Sequence, residues 1–461
     1  MKRLSTKKLV AVALALLMLL PSALAGCAPA DEPAESSTPS APETPAPADS
    51  SPAETTPEAT EPESTPEETP EATPESTPEE TPEIPPEPVK SDFEIYQSNS
   101  VTPTACNYAL KSENGKAVTK TFRGLFKIQE YGELEYKFFF SNNVDSTFSN
   151  GSHSYRNMKT NPFKIISAVV STTSSPFGTS PHKNPVTITF DGKGTRDVEG
   201  GEMFWSDAVK LNVPKGHWLI FEWTVEYTVI AATNSEGVAL ALFENAGNKV
   251  SPVDAAPMPA LVGADRGNDL RIAFIGDSIT MGIGAGTKNY KGYVAKIAEG
   301  LGDNASVWNL ALGYARADDA ANSPAWVEKA KNNDVLCICF GVNDINSGPY
   351  KYSGQRNAVQ ILNDIKKVAE ECSEAGVEII IFSTPPYTYA NSDKVNVWKA
   401  LVRNLESYAE EKGFKYFDFA SLLGSDDDFT RPKYGGHPNA TGCAVVADEF
   451  LASGLVEVTK D

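Results

Sequence analysis

Residues 271–280 read Arg-Ile-Ala-Phe-Ile-Gly-Asp-Ser-Ile-Thr: a short apolar run stops at Gly276, and Asp277 and Ser278 follow. A run of this length closed by glycine reads as a buried strand, and Asp and Ser favour the start of a helix. Comparable apolar runs recur at 305–311, 334–340, 377–382 and 415–419, alternating with helical patterns near 289–300, 318–331, 354–375, 392–412 and 440–453. Strand and helix alternating five times predict an α/β domain over 268–461, its parallel sheet covered by helices on both faces. Ligands of such sheets sit beyond the carboxyl ends of the strands. The loops after the strands are therefore where chemistry is expected.

Four features stand there. The first strand runs into Gly276-Asp277-Ser278-Ile279-Thr280 and the second into Asn309-Leu310-Ala311-Leu312-Gly313. The third ends in Gly341-Val342-Asn343-Asp344, and the loop before the last helix holds Gly435-Gly436-His437-Pro438. A serine hydroxyl is a poor nucleophile until a base takes its proton. Of the four histidines, His153, His182 and His217 precede this domain, so His437 is its single imidazole. An ester-cleaving site also needs donors aimed at the developing oxyanion. The backbone amides of Ser278 and Gly313 and the side-chain amide of Asn343 are candidates.

This set, in this order, resembles the SGNH (GDSL-type) hydrolase superfamily over about 268–461. The resemblance implies a flavodoxin-like three-layer fold and a serine esterase with no metal or cofactor. It implies Ser278 as nucleophile, His437 as general base and then acid, and Ser278, Gly313 and Asn343 as the oxyanion hole. Two positions depart from the superfamily pattern. Tyr434 stands where an aspartate usually orients the histidine, and Gly313 follows Asn309 by four residues rather than five. Either a backbone carbonyl orients His437 or one of Asp418, Asp426, Asp427 and Asp428 reaches it. Gly282 to Lys288 is glycine-rich but does not meet the phosphate-loop pattern, and reads as a segment beside the nucleophile. Pro385-Pro386-Tyr387-Thr388-Tyr389 offers aromatic walls for a sugar.

Upstream, residues 91–258 change character. Leu134 to Phe140, Val186 to Phe190 (closed by Asp191-Gly192) and Trp218 to Ile230 are β-branched and aromatic, without a helical period. They predict an all-β sandwich domain. Ser206 to Val213 is similar to β modules that precede secreted bacterial GDSL-type esterase domains, which implies an ancillary role. A Pro-, Ala- and Gly-rich stretch from Asp254 to Gly267 reads as the boundary.

Residues 28–90 hold 17 of the 33 prolines, 17 acids and one base. No aromatic side chain lies there, so the stretch, with Cys27 the 27–90 linker, is expected to be disordered. At polyproline II rise it reaches up to roughly 195 Å. Before it, Lys2, Arg3, Lys7 and Lys8 precede the apolar run Leu9–Leu20 and then Leu24-Ala25-Gly26-Cys27. That is the layout of an export signal over 1–26, with an apolar helix of roughly 18 Å, too short for a bilayer span. The Leu-Ala-Gly-Cys ending resembles a bacterial lipobox, which implies lipidation of Cys27, a membrane partner through that lipid and a place at the cell surface.

The stretch 28–90 carries −16 of the formal −21, and residues 91–461 only −9. No basic face is offered to nucleic acid. Cys106, Cys337, Cys339, Cys372 and Cys443 are odd in number and contain no Cys-x-x-Cys, which supports neither a disulfide framework nor a zinc site. The expectation is a surface-anchored serine esterase taking acetyl groups from carbohydrate. Its rivals are a lysophospholipase or thioesterase and an inactive glycan-binding lipoprotein.

Overall fold

The computed structural model describes residues 89–146, 156–175, 182–238, 241–246, 249–268, 270–346 and 356–458. The export signal, Cys27, nearly all of the linker and His153 lie outside the described residues. The described residues all fall in one compact unit, Pro85–Asp461.

The α/β domain has five parallel strands: Arg271–Gly276, Ser306–Asn309, Val335–Cys339, Glu378–Phe382 and Lys415–Phe417. Their spatial order is second, first, third, fourth, fifth, the order of flavodoxin-like doubly wound sheets. Both faces are covered, so the strand centres read as apolar runs rather than alternating ones. Alternate residues nonetheless go to opposite sides. Ala273, Ile275, Leu336, Ile338, Ile379 and Ile381 join one core with Trp326, Ile365 and Leu405 of the helices Pro324–Lys331, Ala358–Glu374 and Ser392–Lys412. Ile272, Phe274, Cys337, Cys339, Ile380 and Phe382 join another with Ile297 and Phe450 of the helices Tyr293–Leu301 and Ala440–Ala452. The five cysteines from Cys106 to Cys443 are all buried free thiols.

Two helical stretches differ from the sequence expectation, each for a local reason. Lys288 and Tyr290 have φ of 50° and 53°, which no α-helix accommodates, so the helix expected from 289 starts at Tyr293. The stretch 318–331 is two helices, Ala317–Ala321 and Pro324–Lys331. Proline lacks the N–H a helix interior needs but suits a first turn, so Pro324 starts the second one.

The preceding region is β-rich. One antiparallel sheet is built on Gly132–Ser141 and includes Tyr96–Ser98 and Leu261–Asp265; the other is built on Val118–Lys127, Trp218–Tyr227 and Phe163–Thr173. Phe126, Phe138, Phe140, Phe221, Trp223 and Val262, drawn from both, meet in one apolar cluster. The β-rich region therefore runs on to Asp265, beyond the expected limit at Met258. Leu261–Asp265, expected as part of a boundary, is a strand paired on both edges. No free linker separates the two regions, since Ala105, Phe139, Ala260 and Leu261 pack in the same core as Trp308 and Leu310. The Trp308 indole N–H donates to the Ala260 carbonyl at 3.1 Å.

Candidate active site

At the carboxyl end of the first strand the chain turns directly into a one-turn helix, Ser278–Met281. Asp277 is its N-cap, accepting the Ile279 N–H at 2.9 Å. Burial pushes the Asp277 carboxyl up to about 7, against the lowering by that amide. This cap fixes Ser278 at the first helical position, where its Oγ lies 2.8 Å from His437 Nε2. A hydroxyl and an imidazole at that distance are placed for proton transfer.

His437 comes from the loop before the helix Ala440–Ala452, whose N-cap Asn439 accepts the Thr441 and Gly442 amides. The Tyr387 ring and the imidazole form a T-shaped pair, 6.1 Å between centroids and 86° between planes. The glycine-rich segment after Ser278 packs against the His437 Cβ and backbone. A Cβ at Gly284 would lie 2.7 Å from both Cβ and O of His437, and Gly284 has φ of +98°. Only glycine suits that backbone and that approach. Burial lowers the pKa of His437 below the ordinary 6.5.

The loop after the second strand is laid against the serine turn. The Leu312 N–H donates to the Gly276 carbonyl at 3.1 Å. Asn309 bridges the two turns, donating to the Thr280 carbonyl at 3.3 Å and accepting the Ala311 N–H at 3.0 Å. Gly313 follows. After the third strand Asn343 donates through Nδ2 to the Ala315 carbonyl at 3.0 Å and to Asp277 Oδ2 at 3.4 Å. Ser278, Asn343 and the Gly313 loop thus converge at one end of the sheet. Among the described residues, no group of three His, Cys, Asp or Glu side chains is placed to hold a metal ion.

Of the four aspartates considered for orienting His437, three are engaged elsewhere and the fourth is exposed. Asp418 caps the helix Phe419–Leu423, accepting the Ser421 N–H and the Ser383 hydroxyl. Asp426 pairs with Lys433 at 3.0 Å on the surface, and Asp427 is exposed. Asp428 accepts the Thr430 N–H and hydroxyl and pairs with Arg431. Among the described residues no carboxylate hydrogen-bonds His437. The reason is local: the 425–432 turn is tied to itself by Ser425–Arg431 and Arg431–Asp428 backbone bonds. Asn substitution at Asp426, Asp427 or Asp428 is accordingly expected to leave kcat for an acetyl ester within about threefold, since exposed pairs contribute little. A collapse at one of them in a steady-state assay would identify it as the orienting acid.

One residue at the site carried no sequence signal. Glu236, on a turn of the β-rich region, places its carboxyl where a Cβ at position 313 would be. In sequence, Asn234-Ser235-Glu236-Gly237 reads as an ordinary turn. Burial pushes the Glu236 carboxyl up to about 7.

Residues 274–445 match the model of the GDSL-like Lipase/Acylhydrolase family. Over 212 residues the chain is 24% identical to an acetylxylan esterase of Xylanibacter ruminicola, covering 41% of this chain. The match spans 44% of that curated relative, less than half of its length. Among solved structures, a lipolytic protein of the G-D-S-L family from Desulfitobacterium hafniense is 20% identical with a TM-score of 0.34, covering 41% of this chain and all of its own. A variant of an acetyl-xylooligosaccharide esterase from Geobacillus is 20% identical with a TM-score of 0.33, covering 42% of this chain and 98% of its own.

Proposed function

We propose that this chain, whose residues 274–445 form a GDSL-like lipase/acylhydrolase domain, is a serine ester hydrolase that removes acetyl or other short acyl groups from carbohydrate. The observation that carries the reading is the 2.8 Å contact between Ser278 Oγ and His437 Nε2 at the carboxyl end of the parallel sheet. The substrate class is supported by the acetylxylan esterase relative. The export pattern, the Cys27 lipobox and the Pro/Glu/Thr-rich stretch support a lipid-held enzyme acting outside the cell. We read the β-rich region as an ancillary sandwich fused to the catalytic domain.

In this mechanism Ser278 Oγ attacks the ester carbonyl carbon while its proton passes to His437 Nε2. The carbonyl π electrons move to oxygen, and the Ser278 and Gly313 amides receive the charge. Asn343 joins them: its 3.4 Å contact to Asp277 is long for a hydrogen bond, so a developing oxyanion competes for that donor. The tetrahedral species collapses, the C–O bond to the sugar breaks, and His437 returns the proton to the departing alcohol oxygen. Water then attacks the acyl-Ser278 carbonyl with His437 taking its proton, releasing acid and restoring the serine hydroxyl.

Only neutral imidazole accepts the Ser278 proton. Burial lowers the His437 pKa, so the competent form persists to lower pH than for an exposed histidine. A plot of kcat/KM against pH is expected to rise with pH and reach half its plateau below pH 6.5, the ordinary value for histidine. A midpoint at pH 7 or above would assign the limb to another group, the Asp277 and Glu236 carboxyls at the same site being pushed up to about 7. The substrate reading is tested with purified protein on acetylated xylan and on acetyl and long-chain p-nitrophenyl esters. Release of acetate, dependent on Ser278, is expected; preference for long acyl chains would replace carbohydrate with lipid, and no turnover of any ester would remove the enzyme reading.

A further inference from the structure

The turn carrying Glu236 joins the strands Val229–Asn234 and Ala241–Ala246 of the β-rich region, yet it is seated on the catalytic domain. The Lys288 N–H donates to the carbonyls of Gly237 and Val238 at 3.0 and 2.7 Å. Val238 is buried in the apolar core of the α/β domain, 3.3 Å from where a Cβ at Gly282 would stand. The turn is thus pinned to the segment that leaves Ser278. Its tip meets the other side of the site, for the Glu236 carboxyl fills the Cβ position of Gly313.

Three properties of Glu236 are unusual together. Its backbone is left-handed, with φ of 50°, a conformation uncommon for a residue with a side chain. The Asn234 side chain holds that geometry by accepting the Glu236 N–H at 2.8 Å. Its Oε1 is buried and has no hydrogen-bond partner among the described residues. A buried polar oxygen left unpaired costs free energy, and such groups in native proteins ordinarily find a donor. Here the protein supplies the acceptor and fixes it by backbone strain: Oε1 is closed off against Gly313, and Oε2, which is not fully buried, is the oxygen that a donor from outside reaches.

We propose that Glu236 is a specificity residue, contributed by the β-rich region to the Ser278 site, whose carboxyl accepts a hydrogen bond from a hydroxyl of the alcohol part of the ester. A sugar carries such hydroxyls beside the acylated oxygen; a simple aryl ester does not. The burial that raises the Glu236 pKa also strengthens its need for a donor, since little solvent reaches the carboxyl. The β-rich region then takes part in selecting the substrate rather than only in holding the polymer near. The inference rests on the esterase reading above.

The test compares kcat/KM on a mono-O-acetylated xylo-oligosaccharide with kcat/KM on p-nitrophenyl acetate, using the full chain and its Glu236→Ala and Glu236→Gln variants. Activity of the unmodified chain on p-nitrophenyl acetate, and its loss in Ser278→Ala, first establish the esterase reading on their own. If that activity is missing, both readings fall. With it present, the comparison is made above about pH 8, where the Glu236 carboxyl is ionised. There Glu236→Ala is expected to lower the ratio of sugar-ester to aryl-ester efficiency by roughly tenfold to a hundredfold, as loss of a hydrogen bond to a charged group does. Glu236→Gln keeps one acceptor oxygen in place and is expected to lower the ratio less, by about threefold or more; it carries the test alone if the alanine variant does not fold. A ratio that stays constant, whether both efficiencies fall together or neither changes, overturns the proposal, because a structural role for Glu236 would not separate the two esters.

Discussion

Ser278→Ala is expected to lower kcat on an acetyl ester by about 10⁴- to 10⁶-fold, the range seen when a serine nucleophile is removed. The loss is large because the hydroxyl does work no neighbour can replace. The Cys339 thiol near the same strand end is fully buried with its pKa raised well above the ordinary value. Water in place of Oγ would lack the covalent intermediate. His437→Ala should fall almost as far, since it leaves Oγ without a base. The double variant should be scarcely worse than either single one, because two groups acting as a unit are not additive. Stability should change little: among the described residues the Ser278 hydroxyl hydrogen-bonds only His437, and the helix cap is made by Asp277. Thermal midpoints within about 3 °C would show that the fold survives. A Ser278→Ala protein with more than about one-tenth of the activity would exclude Ser278 as nucleophile.

Some of this was legible in the sequence because the relevant physics is local. A strand buried on both faces must be mostly apolar, so all five strands are visible as apolar runs, with polar residues such as Arg271, Ser306, Asn309, Glu378 and Lys415 at their ends. A serine turn needs a glycine, a cap and a helix start within a few residues, and Gly276 to Thr280 provides them. The helix limits were less legible, because the left-handed backbone at Lys288 and Tyr290 is set by contacts that the residue types do not disclose. Least legible were groups brought together across the fold. Glu236 meets Gly313 only because a turn of one region sits on the loops of another. The aspartates near His437 in sequence were candidates by proximity alone, and the hydrogen bonds and ion pairs found for Asp418, Asp426 and Asp428 are with other residues. Proximity in sequence is a weak guide when a loop closes on itself.

The largest effect on stability is expected at Lys329, in the helix Pro324–Lys331. Its Nζ lies 2.7 and 2.6 Å from the two carboxylate oxygens of Asp145, a residue of the β-rich region, and both side chains are fully buried. Asp145 Oδ2 also accepts the Cys106 N–H at 2.8 Å, and the Asp145 carbonyl accepts the Ser323 hydroxyl at 2.6 Å. Arg156 joins Asp318 and Asp319 nearby, but with a third of its side chain exposed that link is partly screened and worth much less. Lys329→Met keeps the aliphatic volume and strands the Asp145 charge away from water. Removing one partner of such a buried pair costs about 3–5 kcal/mol. In urea the midpoint is expected to fall by that amount divided by the m-value, with m itself unchanged. Lys329→Met combined with Asp145→Asn should recover part of the loss, because the double variant buries no unpaired charge and Asn still accepts the Cys106 amide. If Lys329→Met costs less than about 1 kcal/mol, water or a counter-ion reaches Asp145 and the two regions are not held by this pair. If it costs the full amount and fluorescence and circular dichroism transitions stay coincident, the two regions unfold together. They would then form one folding unit, as a site needing both Ser278 and Glu236 requires.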